Sequence, residues 1–150
     1  MNIVLVEPRI PQNTGNIARL TAATNSTLHL IEPLGFDLSD KYLKRAGLDY
    51  WEFVDFKVHK SWDAFLSTES PNLNQIWIFS THGKKEFTEV KYSTSDYLVF
   101  GNEVAGLDKS YHSAYSGQML KIPMDNENVR SFNLANSVAI ALFETKKQLR

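Results

Sequence analysis

The sequence contains no cysteine. That excludes disulfides, thiolate metal ligands and a cysteine nucleophile, and it suits a reducing compartment. Charge of one sign is also missing: 16 Lys and Arg against 17 Asp and Glu leave a formal net charge of −1 at pH 7. No global positive field draws a polyanion to the monomer, so any nucleic-acid surface must be a local patch. Long apolar runs are absent too. The opening stretch MNIVLVEPRIPQ has no basic leader and a short apolar segment that stops at Glu7. It reads as neither a signal peptide nor a membrane span, and a cytoplasmic protein is expected. His29, His59, His82 and His112 are scattered, with no short ligand spacing. They are read as packing or surface residues, and no metal site is expected.

What is present is enough for one core. A chain of 150 residues, 43% of them hydrophobic, suits a single domain over residues 1–150 and would be cramped as two. Asn2 to Val6 is a compact β-branched run closed by Glu7-Pro8, and helical character follows from Asn13 to Thr24. Leu28 to Ile31 reads as a second strand. Ser39 or Asp40 then caps a short helix carrying Leu43 and Ala46, and Phe53 to Val58 forms a third strand. Ser61 caps a helix through Phe65 and Leu66, and Ser70-Pro71-Asn72 breaks the chain before the apolar run Ile76 to Phe79. Tyr97 to Phe100 and Leu120 to Ile122 complete the strands, and a long helix runs from about Phe132 to Leu149. The alternation predicts an α/β fold with a mostly parallel sheet flanked by helices.

A dinucleotide-binding version of such a fold would carry its glycine-rich turn straight after the first strand. Here that strand runs into EPRIPQNTGN, with prolines where the tight turn belongs. GxxxxGK[ST] and GxSxG are missing in context as well, which weighs against a nucleotide-dependent oxidoreductase or a hydrolase.

Three clusters carry polar chemistry. In Asn13-Thr14-Gly15-Asn16-Ile17-Ala18-Arg19-Leu20, Asn13 is placed as an N-cap. Arg19 lies about 200° around the helix from Ile17, away from the ridge of Ile17, Leu20 and Thr24. In Phe100-Gly101-Asn102-Glu103-Val104-Ala105-Gly106-Leu107 a buried-type strand empties into a loop whose two glycines let backbone approach a ligand and whose Glu103 supplies a carboxylate. A bland turn would account for the glycines equally well. In the third, Ile122-Pro123-Met124 is followed by Asn128-Val129-Arg130-Ser131-Phe132-Asn133, where Ser131 or Asn133 can cap the last helix. From Leu134 to Phe143 that helix is almost wholly apolar or small, so it needs cover on more than its sheet-facing side, and a second subunit is the natural cover. Lys41, Lys44 and Arg45 make one basic cluster on the short helix expected there, read either as an RNA-docking patch or as a solvated face.

In this order, NTGNIARL, FGNEVAGL and IPM…RSFNLANSVAIALFE closely resemble the three motifs of the SPOUT superfamily of RNA ribose methyltransferases. LIEPLGF and DKYLKRAGLDY are similar to the compact subfamily that methylates the wobble nucleotide of tRNA, and the similarity covers essentially the whole chain. The resemblance implies a SPOUT-type fold with a C-terminal deep trefoil knot, a rare exception to unknotted topology. It implies a homodimer that transfers a methyl group from S-adenosylmethionine to the ribose 2'-hydroxyl of tRNA, on cytidine or 5-carboxymethylaminomethyluridine, releasing S-adenosylhomocysteine. By the same resemblance Phe79, Gly101, Ile122 and Ser131 surround the cofactor, with Glu103 and Asn133 beside them.

Methyl transfer from a sulfonium needs positioning and help for a developing alkoxide. A guanidinium resists deprotonation, so Arg19 is expected to act as an electrostatic clamp rather than a base, with Asn13, Ser131 and Asn133 fixing the geometry. Arg19 and Arg130 join Lys41, Lys44 and Arg45 as expected RNA contacts. Two positions depart from the family pattern: Phe143 stands where a tyrosine is common, and Ala105 where a basic residue often precedes Gly-Leu. Motifs that bind cofactor say little about substrate. Another RNA such as ribosomal RNA, or a silent knotted RNA-binding protein, remains an alternative at this stage.

Overall fold

In the computed structural model, which describes residues 1–39 and 48–150, apolar strand runs become the centre of a sheet buried on both faces. β1 (Asn2–Val6), β2 (Thr27–Ile31), β3 (Phe56–His59), β4 (Ile76–Phe79), β5 (Lys85–Glu86), β6 (Tyr97–Phe100) and β7 (Met119–Lys121) form one sheet in the order β3-β2-β1-β6-β4-β7-β5. Every pairing among them is parallel. The helices are α1 (Pro11–Ala23), α2 (Trp62–Glu69), α3 (Lys109–Ala114) and α4 (Leu134–Gln148).

Successive strand residues serve opposite layers. Ile3 and Leu5 of β1 and Leu98 and Phe100 of β6 join Ile17 and Ala18 of α1 and Val138, Ala141 and Leu142 of α4. Val4 and Val6 of β1 and Tyr97 and Val99 of β6 join Phe65 of α2 and Tyr115, just past α3. Continuous apolar strands and two helical layers are thus one fact seen twice.

The boundaries depart from the sequence expectation in places. Residues Leu48–Phe53 wind into a 3-10 turn, with Val54 N–H donating to Trp51 O. The third strand therefore starts at Phe56, opposite Leu28, and runs to His59 instead of starting at Phe53. α1 starts at Pro11, two residues before Asn13, so Asn13 sits inside the first turn and is not the cap. Proline suits that position because its missing N–H would have had no helical partner. Ser61 does cap α2, accepting from Ala64 N–H at 3.1 Å. Asn133 caps α4, so that helix begins at Leu134, two residues after the expected Phe132. β5 and α3 were not anticipated. The expected helix at Ser39 or Asp40 with Leu43 and Ala46, and Lys41, Lys44 and Arg45 on it, lie outside the described residues.

At the far side of β2, His29 and His59 are both buried. His29 Nδ1 faces His59 Nε2 at 3.1 Å, and the ring centroids are 5.3 Å apart with planes 16° from parallel. Those values describe two rings meeting edge to edge, with one N–H···N bond filling the space between them. Asn2 Nδ2 donates to Asp96 O, which leaves Oδ1 to accept from His29 Nε2–H at 3.3 Å. His29 is therefore protonated at Nε2, and its Nδ1 accepts from His59 Nε2–H. Glu69, whose carboxylate comes within 4.8 Å of the pair, is bound by Lys57 Nζ at 2.9 Å.

Candidate active site

The loops that leave the carboxyl ends of β1, β4, β6 and β7 meet over one cavity of about 740 Å³. Open parallel sheets bind ligands there, where the strand order turns back on itself, here between β1 and β6. The residues brought together come from all three sequence clusters. Asn13 arrives on α1, Phe79 and His82 follow β4, Gly101 to Leu107 follow β6, and Ile122, Arg130, Ser131 and Asn133 follow β7.

A line of hydrogen bonds locks these segments. Asn133 Oδ1 accepts from Ala135 N–H at 2.9 Å and Asn136 N–H at 3.3 Å, capping α4. Its Nδ2 donates to Asn13 Oδ1 at 2.9 Å, and Asn13 Nδ2 donates to Glu103 Oε1 at 3.1 Å. Glu103 also accepts from Arg9 N–H at 2.8 Å and Ile10 N–H at 3.2 Å. The Glu103 carboxylate is thus a clasp between the β6 loop and the entry to α1, and its oxygens are occupied by protein donors. It borders the cavity, but as the piece that fixes its wall. Sequence reasoning missed this because the partners lie 90 or more positions away.

The β6 loop has its own closure. Asn102 Oδ1 accepts from Val104 N–H and Ala105 N–H, and Asn102 and Gly106 exchange both backbone bonds. A Cβ on Gly101 would fall 2.2 Å from the Gly106 carbonyl carbon, and Gly106 itself has φ +68. Backbone can pass this closely only without a side chain. The result is a tight rim beside the apolar walls of Phe79, Phe100, Leu107 and Ile122. On the opposite wall Arg130 and Ser131 are exposed. Among the described residues neither makes a side-chain hydrogen bond or ion pair, so both are free for a ligand. His82, Lys109 and His112 add a second cationic or titratable edge, with the two imidazole centroids 5.3 Å apart.

Arg19 is not part of that wall. It is exposed on α1 with its guanidinium carbon 4.7 Å from the Tyr50 ring centroid. Six residues from Asn13 correspond to about 9 Å of rise and about 240° of rotation. Within one chain the two side chains therefore leave the helix in different directions. Ala105 is exposed on the cavity rim, and Phe143 is 58% exposed on α4.

A cavity with apolar walls, tight glycine backbone and polar groups unpaired among the described residues fits a nucleoside-bearing ligand. Comparison with known proteins decides which kind. The model of the SpoU rRNA methylase family matches residues 1–143. The chain belongs to the SpoU methylase family. A tRNA (cytidine(34)-2'-O)-methyltransferase of Saccharophagus degradans is 48% identical over 99% of this chain and 95% of its own. One of Burkholderia cenocepacia is 45% identical over 98% of this chain and 94% of its own. A solved structure described as giving structural insights into the 2-OH methylation of C/U34 on tRNA superposes with a TM-score of 0.90 at 45% identity, covering 99% of this chain and 95% of that one. The SPOUT resemblance and the flanked parallel sheet expected from the sequence both stand, and the chain is a methyltransferase.

Proposed function

We propose that this SpoU-family chain methylates the ribose 2'-hydroxyl of the wobble nucleotide of tRNA, with S-adenosylmethionine as donor. One observation carries the reading: near-full-length relatives named for that reaction share 45–48% of their residues with a chain whose three motifs close one cavity.

The cavity suits the donor. Gly101 and Gly106 allow backbone to press against a ligand where a Cβ would collide, and Phe79, Leu107 and Ile122 provide apolar cover for a nucleobase. When bound, the donor supplies a methyl group on a sulfonium whose neutral thioether leaves without acid or metal assistance. The chain's part is to orient and to stabilise charge. Ser131, exposed on the cavity wall and without a side-chain partner among the described residues, can accept or donate at the ribose hydroxyl. Asn13 and Asn133 are committed to each other and to Glu103, so they hold the wall rather than the substrate. Arg130 offers a cation for a phosphate at the mouth.

Arg19 completes the site as an electrostatic clamp, and the direction in which it leaves α1 favours delivery to the cavity of a second copy. The 58% exposed Phe143 on α4 supports a homodimer in the same way, as an aromatic ring awaiting cover. A cytosolic site of action follows from the substrate; no helix among the described residues is long and apolar enough to cross a membrane.

The test is mass-spectrometric mapping of ribose methylation in tRNA and ribosomal RNA incubated with the purified chain and S-adenosylmethionine. Methylation at the tRNA wobble position is expected; modification confined to ribosomal RNA would overturn the substrate assignment. Arg19→Ala is expected to abolish turnover while leaving donor affinity and oligomeric state nearly intact. Wild-type turnover in that variant would remove Arg19 from the site.

A further inference from the structure

The arginine assigned to the chemistry is held by very little. Among the described residues Arg19 makes no hydrogen bond or ion pair, and its recorded partner is the face of Tyr50 at 4.7 Å. Tyr50 projects from the 3-10 turn Leu48–Phe53 and is 41% exposed. The next residue fixes that turn. Trp51 packs on the large core cluster and against Phe56, with ring centroids 5.2 Å apart, and its carbonyl accepts from Val54 N–H at 3.2 Å. A turn pinned through Trp51 therefore presents Tyr50 at a set place above α1.

We propose that Tyr50 is a positioning residue for methyl transfer, restricting the Arg19 guanidinium to the direction in which it acts. The proposal rests on the clamp role given to Arg19 above. An exposed arginine otherwise samples many rotamers, and each one that points elsewhere lowers the fraction of molecules with a competent site. The aromatic face attracts the guanidinium through its quadrupole and leaves all five N–H donors in the guanidinium plane free for an oxyanion or phosphate. A carboxylate partner would fix the side chain more firmly but would occupy those donors and cancel the charge. An aromatic ring is the kind of support that holds a cation without consuming it.

The tyrosine hydroxyl has no described partner, so the ring alone does the work. Tyr50→Phe should therefore behave as the parent chain. Tyr50→Leu keeps bulk but loses the quadrupole, and should lower kcat for tRNA about two- to fivefold. KM for the methyl donor and the melting temperature should stay unchanged. Binding of tRNA, measured on Arg19→Ala and on the double variant Arg19→Ala/Tyr50→Leu, should be the same for both, because Tyr50 acts through the arginine.

Wild-type kcat in Tyr50→Leu overturns the proposal while leaving the role of Arg19 intact. So does weaker tRNA binding in the double variant than in Arg19→Ala, which would make Tyr50 an RNA contact in its own right. A Phe variant as impaired as the Leu variant also overturns it, by assigning the effect to the hydroxyl. Full activity in Arg19→Ala removes the clamp itself, a failure distinct from the other three.

Discussion

The two sides of the sheet's switch point handle polar groups in opposite ways. On the β2–β3 side, Asn2, His29 and His59 are joined in one line of hydrogen bonds, and Lys57 meets Glu69 beside them. On the β6–β7 side the line Asn133–Asn13–Glu103 is bonded end to end as well, but Ser131 and Arg130 stand beyond it with no side-chain partner among the described residues. A buried polar group left unpaired costs stability, whereas groups meant for a ligand must stay open. What marks the functional side is therefore not polarity but polarity left unspent.

The largest expected effect breaks the open side. Gly101→Ala places a methyl group 2.2 Å from the Gly106 carbonyl carbon, and the β6 loop must open to admit it. Donor binding by calorimetric titration should fall below detection, with a stability loss of about 1–3 kcal/mol. Retention of parental donor affinity would show that the rim does not shape the cofactor site.

The next tests the closed side through pH. Burial pushes the His29 pKa down from 6.5 to about 4, with Glu69 opposing and His59 adding to the shift, and burial lowers His59 as well. Unfolded histidine takes up its proton near pH 6.5, folded His29 only near 4, so the unfolded state binds more protons between those values. Stability should be fully present above about pH 6.5 and decline as pH falls toward 4, by on the order of 3 kcal/mol from His29. Urea denaturation at a series of pH values reads this directly. Replacing His29 with Gln should flatten the dependence in that window, and an unchanged slope would locate the titrating group elsewhere.

The smallest sharpens the contrast within α1. Thr14 is fully buried and its hydroxyl has no hydrogen-bond partner among the described residues. Thr14→Val keeps the shape and removes the unsatisfied group, so stability should be unchanged or rise by about 1 kcal/mol. A clear loss in chemical denaturation would mean that the hydroxyl is engaged after all.

These features were legible to different degrees. β1, β2, β4 and β6 announce themselves because a strand covered on both faces is apolar at every position, as in Tyr97–Phe100. β5 has only Lys85 and Glu86, a pair at the sheet edge with no apolar signal to read. α3 is a six-residue helix without a buried residue, although Asp108, accepting from Ser110 N–H, is a recognisable cap. Pro11 was the overlooked sign that α1 begins before Asn13. In the site, one cavity gathers Asn13, Gly101, Glu103, Ser131 and Asn133 from the three motifs. Their division of labour was hidden. Whether Glu103 faces a ligand or the amides of Arg9 and Ile10 depends on contacts between segments remote in the chain, which no local pattern encodes.

The bond between Asn13 and Asn133 spans 120 positions. On a ribosome that makes the protein from its amino end, the first turn of α1 must wait for 120 further residues before its asparagine meets the partner that finishes the wall. Local helices and the first strand pair need no such delay. The cavity wall is thus unfinished in any nascent chain that does not yet hold Asn133, however well its first strands have already paired.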